Sequence, residues 1–442
     1  MTEGPILRQI LLFAFPLMLG NIFQMLYNTV DVWVVGNFVS TEALAAVGST
    51  TVIVNMLVFF FNGFSVGAGV VIANRFGARD MENLHTAVET TITLTFVCCA
   101  VFTIIGVAGV RTMLSFMATP EDVLADATIY LSIYFSGISG LLIYNIGSGI
   151  LRAVGDTIRP LLFLILTSLL NIFLDLFFVL ALHMGIEGVA IATILSQFIS
   201  AGFILLLLTR TKDIYRLVWH DLGIDPDVVR RIVAVGLPAG VQSVITAFSN
   251  VFVQAYVNAF GSSVMAGWSC YNRLDQFIML PMQSMAMAST TFVSQNVGAR
   301  QEARADQGTR TSILVCLSVT GAIAAFLCLF APQSVSLFTA DQQVISWGVL
   351  FIRANTFFLL ANCVNHVLAG SLRGRGDSRG PMVIMLLSFV AVRQVYLFIM
   401  TRFIANTPLA VALGYPVGWC TCCVLEILYA RHSRSIRRSR AG

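Results

Sequence analysis

One stretch of this chain occurs twice. From Leu151 to Pro160 it reads Leu-Arg-Ala-Val-Gly-Asp-Thr-Ile-Arg-Pro, and from Leu372 to Pro381 it reads Leu-Arg-Gly-Arg-Gly-Asp-Ser-Arg-Gly-Pro. A second pair lies upstream at the same offset: Phe76-Gly77-Ala78-Arg79 and Val297-Gly298-Ala299-Arg300. Self-similarity on this scale constrains a fold more than any local propensity does. Here the repeating unit is half the protein, so the chain reads as two copies of one unit joined in the middle.

The solvent of that unit is lipid. Hydrophobic residues make up 57% of the chain and charged ones 11%, against roughly 25% charged in a soluble protein. A bilayer span needs roughly 20 apolar residues, and many such runs follow one another, separated by short turns bearing Arg or Gly. The runs predict twelve membrane helices: 8–37, 44–75, 84–112, 122–152, 158–183 and 186–210, then 228–260, 264–297, 306–331, 342–372, 379–402 and 408–430. The expected fold is an all-α integral membrane protein with twelve transmembrane helices in two six-helix lobes. Residues 1–210 form the first lobe, 211–227 a polar linker, and 228–442 the second lobe with a basic tail. The nine Cys residues sit mostly in apolar runs, without Cys-x-x-Cys and without His at metal spacing, so they read as small packing residues.

The cations set the orientation. Arg8, Arg75, Arg79, Arg152, Arg159, Arg210, Lys212, Arg216, Arg230 and Arg231 fall at the start or in alternate loops. Arg300, Arg304, Arg373, Arg375, Arg379 and the tail from Arg431 to Arg440 follow the same rule. The opposite loops, 37–43, 183–188, 261–264 and 331–341, carry no Lys or Arg. Positive residues stay on the cytoplasmic side, so both termini and the linker are expected there, in a multi-pass plasma-membrane protein. The cations form no soluble basic stripe, so nucleic acid is not expected as a partner. Six spans per half make the repeats parallel, related by a pseudo-twofold along the membrane normal, with a central cleft near the midplane.

Ionisable groups inside a span are costly, roughly 2.5–3.5 kcal/mol for Asp at a helix centre. The first half carries Asp31 in its first span and Asp175 in its fifth, with no basic residue at that depth. Gln24, Tyr27 and Asn28 share a helical face with Asp31, and Asn171 and Thr167 share one with Asp175. The sixth span offers Thr193 and Gln197, and the fourth Tyr130, Asn145 and Ser148. Two acids among amides and hydroxyls make a hard-oxygen site for a proton or a small monovalent cation, with Na+ the metal candidate on Asp31 and Asp175. The second half overlays Val253 and Tyr396 on these acids and offers neutral groups, Gln242, Asn250, Gln254, Asn362 and His366. Arg273, Asp275 and Arg393 are expected to pair structurally. Pro16 and Pro238 open the first helix of each half; Pro16, on the helix of Asp31, is a candidate hinge. Asp156 and Asp377, in the repeated turns, are read as caps of the following helices.

These residues resemble the multidrug and toxic compound extrusion (MATE) family, within the wider MOP flippase and exporter superfamily. The resemblance rests on the Pro16, Gln24, Asp31 helix, the two Gly-Ala-Arg turns, the paired Gly-Asp-x-x-x-Pro loops and, most specifically, Asn171-Ile-Phe-Leu-Asp175 followed by the run from Gly185 to Thr193. It implies an efflux pump that alternates between inward and outward openings, driven by H+ or Na+ as the coupling ion and needing no other cofactor. It implies a cation site of Asp31, Asn171, Asp175 and Thr193, with Gln24, Tyr130 and Asn145 nearby. One branch of the family also carries acids in the seventh and tenth helices; this chain has none there, which places coupling in the first lobe.

The expected function is therefore cation-coupled antiport of small, amphipathic, often cationic organic compounds by a monomer in the bilayer. Substrate-cleft candidates are Asn28, Gln242, Asn250, Gln254, Asn362, His366, Met279 and Met282. The alternative is an exporter or flippase of a lipid-linked precursor or a specific metabolite, for which a cationic cavity is expected. No nucleophile–base pair, zinc motif or nucleotide loop points to an enzyme.

Overall fold

The computed structural model describes residues 1–117 and 119–441; the side chains of Thr41, Val52, Asp122 and 436–441 lie outside the description, and with them those of Arg437, Arg438 and Arg440 in the basic tail. Among the described residues the chain is helical, with no strand. The first half runs α1 (Ile6–Phe38), α2 (Thr41–Gly77), α3 (Met81–Phe116), α4 (Glu121–Ser136), α5 (Ile138–Val154), α6 (Ile158–Leu176) and α7 (Ile186–Arg210). The second runs α8 (Pro226–Asn258), α9 (Ser262–Gly298), α10 (Glu302–Leu329), α11 (Ala331–Ser336), α12 (Gln342–Asn355), α13 (Leu359–Gly374), α14 (Arg379–Leu386), α15 (Arg393–Ile399), α16 (Pro408–Ala412) and α17 (Gly414–Ala441).

Among the described residues ten helical segments are long and apolar enough to cross a membrane, and eleven if the bent α4–α5 pair is one span. The remaining expected span is α9, whose Ser, Thr, Gln and Asn side chains dilute its hydropathy. Its residues 288–296 are all buried, so protein rather than lipid surrounds that part of the helix. The fourth span, expected unbroken over 122–152, instead bends by 47° between α4 and α5. A Ser-Gly pair, Ser136 and Gly137, sits at the break, a common cause of kinks. A Cβ on Gly137 would strike the Ile194 side chain of α7, so the missing side chain lets α7 close against the break. Residues 177–181 continue α6 as a π-helical turn, and residues 387–392 join α14 to α15 in the same way.

The repeated turns are helix C-caps. The Asp80 N–H donates to the Arg75 carbonyl at 3.1 Å, Asp156 to Leu151 at 2.9 Å, Gln301 to Asn296 at 2.8 Å and Asp377 to Leu372 at 3.0 Å. Each is the long bond of a Schellman motif, which needs a left-handed residue just before the donor. Gly155 and Gly376 supply it with φ of 100° and 85°, and Arg79 and Arg300 adopt it at 57° and 58° despite their side chains. Asp156 and Asp377 then cap the next helices, accepting from the Arg159 N–H at 3.1 Å and the Gly380 N–H at 3.0 Å.

By contacts the chain divides into two compact units, Phe15–Leu237, and Pro238–Gly442 together with Met1–Ala14. The division runs through α1 and α8, beside Pro16 and at Pro238. Those two helices also pack most sparsely against other elements. In the first unit α5 is central, packing on α2, α3 and α7, and α7 packs on α4 and α6. Small groups allow close approach: the Ser65 hydroxyl of α2 donates to the Asn145 carbonyl of α5 at 3.0 Å. In the second unit α9 and α13 are central, and the Thr290 hydroxyl bonds the Gly370 carbonyl at 3.0 Å. One end of that unit is tied by charge. Arg375 pairs with Glu302 and, at 2.7 Å, with Asp306, and Arg434 reaches Asp306 at 2.8 Å. The amino terminus lies at the same end, where Arg304 donates to the Gly4 carbonyl at 2.7 Å and Met1 to Gln295 Oε1 at 2.9 Å.

Candidate functional site

The most unusual chemistry in the first unit is a pair of acids. Asp31 comes from α1 and Asp175 from the last turn of α6. Asp175 is fully buried and Asp31 half-buried. Their carboxyl groups are close neighbours, and Oδ1 of Asp31 and both oxygens of Asp175 are buried without a donor. Two carboxylates are both acceptors, so neither satisfies the other. Among the described residues no Arg, Lys or His pairs with them. Arg152, one helix away, instead lies beside Tyr144 and reaches the Asn145 carbonyl at 3.5 Å.

Polar groups ring the pair. Asn171, one turn before Asp175, is 2% exposed and both its side-chain polar atoms lack partners. Tyr27 and Tyr130 lie close enough to interact with Asp31, and Tyr130 also with Asp175. Tyr130 stacks on Tyr134 at 6.4 Å, and Tyr134 adjoins Gln197 of α7, whose buried Oε1 is again unpartnered. The other sequence candidates are less directly engaged. Thr193 is buried on α7 but donates to its own Val189 carbonyl at 3.0 Å. The Asn145 amide donates to Leu141 at 2.9 Å. Gln24 and Asn28 are exposed on α1. Tyr134 and Tyr144 were not singled out from the sequence; the spacing of Tyr130 and Tyr134, four apart on one helical face, is the signal for the former.

Two neighbouring acids among buried polar side chains, with no basic partner among the described residues, make this the candidate site. Sequence comparison gives the chain a family. The MatE family model matches this chain twice, over residues 16–177 and again over 238–399. The chain belongs to the MatE family. The two matches begin at Pro16 and Pro238, so the family unit is the internal repeat itself. A relative described as a probable multidrug resistance protein, YoeA of Bacillus subtilis, is 27% identical over 96% of this chain and 93% of its own. The solved structure of a multidrug resistance MATE family transporter of the MOP superfamily, in an outward-facing conformation, matches with a TM-score of 0.92 at 25% identity, covering 99% of this chain and 98% of that one. A Pyrococcus furiosus MOP superfamily transporter, described by the reverse polarity of its binding pocket, matches with a TM-score of 0.91 at 25% identity, covering 98% and 97%. MatE proteins are membrane transporters, and this chain has their twelve-helix, two-lobe fold.

The second half of this MatE chain handles its charges differently. Arg393 is 2% exposed, donates to the Ser249 hydroxyl at 2.6 Å and lies over the Tyr415 ring at 4.8 Å. Asp275 neighbours Tyr271 and Tyr415, whereas Arg273 is exposed and lies over Phe338 at 5.9 Å. Of the cleft candidates, Met282 is fully buried and Gln242 is buried against the Met385 sulfur. The Asn362 amide faces the Met279 sulfur at 3.8 Å, Gln254 bonds Asn258 at 2.7 Å, and Asn250 is exposed. His366 is half-buried near Arg373. One buried acid escaped the sequence reading. Glu426 of α17 is fully buried, both its oxygens lack donors, and Arg373 is its neighbouring cation.

Proposed function

We propose that this MatE protein is a cation-coupled antiporter that expels small amphipathic, often cationic organic compounds across the cell membrane. Asp31 and Asp175 exchange the coupling species, a proton or Na+. Asn171, Thr193, Gln24, Tyr130 and Asn145 supply neutral oxygens and donors around them. The observation that carries this reading is the facing of Asp31 and Asp175, with buried oxygens that no side chain satisfies. Facing carboxylates in a low-dielectric site repel each other strongly, so one positive species between them favours the closed pair and its loss favours separation.

The helix that carries Asp31 is suited to that separation. It contains Pro16, which removes a backbone hydrogen bond, and it is among the least packed spans. Few contacts oppose its movement. A cation that binds only the closed arrangement shifts the population toward it by its differential affinity. Release on the other side of the membrane then resets the helix, and substrate export is tied to this cycle. Selectivity among substrates is broad because apolar contacts discriminate by only about 1–3 kcal/mol per group. The protein works as a monomer, and the placement of its cations supports both termini and the linker in the cytoplasm.

Uptake of a fluorescent organic cation into inverted membrane vesicles tests the proposal, with a pH gradient and a Na+ gradient imposed separately. Accumulation under one gradient, and its collapse when that gradient is dissipated, is the expected result. Equal accumulation with neither gradient overturns it.

A further inference from the structure

The linker between the halves is docked on α3 in a way the transport cycle does not explain. The short 3-10 turn Trp219–Asp221 is held from both sides. Before it, the Trp219 ring stacks on Phe96 of α3 at 6.2 Å, and its indole N–H donates to the Thr209 hydroxyl at 3.1 Å. After it, the Asp225 N–H donates to the Thr90 hydroxyl of α3 at 3.1 Å. Between these anchors Asp221 is carried to His85 and Glu89. The ligand atoms of His85, Glu89 and Asp221 all lie within 4.8 Å of one another.

We propose that His85, Glu89 and Asp221 form a binding site for a divalent first-row transition metal, zinc in the first instance, that fastens the linker to α3. His85 and Glu89 are four residues apart, so one helical face presents both, the spacing that helices use to chelate. Imidazole nitrogen with carboxylate oxygens suits Zn2+ and its neighbours. His85 Nε2 and Glu89 Oε1 lie 2.7 Å apart as an ion pair, and Oε1 is buried with no hydrogen-bond donor. Glu89 is 7% exposed. A nitrogen and a buried oxygen that no hydrogen bond holds, with the Asp221 carboxylate beside them, are three donors that one ion can draw together. Asp221 is exposed, which gives an ion a path from water and leaves a position for a water ligand. The donor set has three protein ligands, two from one helix and one from the linker, so binding couples metal to linker docking by mass action.

The test uses the full chain, purified in detergent with an affinity tag that contains no histidine and stripped with a chelator. Zn2+ is titrated in competition with a chromophoric chelator, and tryptic cleavage at Lys212 and Arg216 is followed in parallel. One zinc per chain and slower linker cleavage are expected for the unaltered protein. Asp221→Asn, Glu89→Gln and His85→Ala are each expected to lose at least about tenfold in affinity, since even partners of metal ligands contribute 10–100-fold, and to lose the protection. His220→Ala is the control expected to keep both. Asp221 is exposed, so its variant folds even if the others do not. Absence of zinc binding, or unchanged affinity in Asp221→Asn because the cysteines or another group hold the ion, overturns the site and leaves His85 and Glu89 as a charge pair. The transport proposal is unaffected by either outcome.

Discussion

Asp31 of α1 and Asp175 of α6 are neighbours, with Oδ1 of Asp31 and both oxygens of Asp175 buried without a donor and no basic partner among the described residues. On the proposed mechanism the two acids act as a unit. Asp31→Asn and Asp175→Asn are each expected to lower gradient-driven efflux by about 5- to 150-fold, the range that couplings of 1–3 kcal/mol produce. The double variant is expected to be no worse than either single one, because the second substitution removes a group that already lacks its counterpart. Initial rates in vesicles measure this; additive losses would show that the acids work independently.

Pro16 predicts a divergence between stability and activity. Pro16→Ala restores a backbone donor inside α1, where a proline costs about 3 kcal/mol or more in a helix interior. The variant is expected to melt higher and to transport more slowly. Thermal unfolding in detergent and transport rate are the paired measurements. A variant that melts higher with unchanged transport would remove Pro16 from the mechanism.

The buried Glu426 and Arg373 give a prediction about the second half. Arg373→Met leaves a fully buried acid without its neighbouring cation, a change expected to destabilise by about 3–5 kcal/mol. Adding Glu426→Gln is expected to recover much of that loss, because the uncompensated charge is gone. Unfolding of the three variants closes the cycle, and simple additivity would show that the two groups do not interact.

The left-handed Arg300 in the repeated turn predicts a gain. Arg300→Gly places at φ 58° the residue that tolerates it, and is expected to stabilise by about 1 kcal/mol. Gly370→Ala runs the other way. Its Cβ would lie 2.5 Å from the Ala286 carbonyl oxygen, an overpacking expected to cost about 1–3 kcal/mol. Melting temperatures decide both.

Much of this was legible in the sequence. The apolar runs gave the helices, and the duplicated turns gave the repeat, because a Schellman cap constrains residue type at the cap position and the helix capped next. Asp31 and Asp175 stood out since an acid in an apolar run has few reasons to be there. Three things were hidden. The close approach of Ile194 to Gly137, at the bend, involves another helix, which periodicity does not register. Glu426 lies near the end of the last span, close to Arg431 and Arg434, and reads there as part of a solvated face. Asp221 meets His85 and Glu89 only because Trp219 and Asp225 dock on α3, a contact between segments more than a hundred residues apart. Local patterns identify which groups are costly to bury; tertiary packing decides which groups they meet.

The most direct test of the account is to count the coupling ion itself. Purified protein in lightly buffered detergent, loaded with protons or with radioactive Na+, is mixed with an organic cation substrate, and the released ion is measured. The account predicts prompt release from the unaltered protein and none from the Asp31→Asn, Asp175→Asn double variant. Release of equal size from the double variant would contradict it.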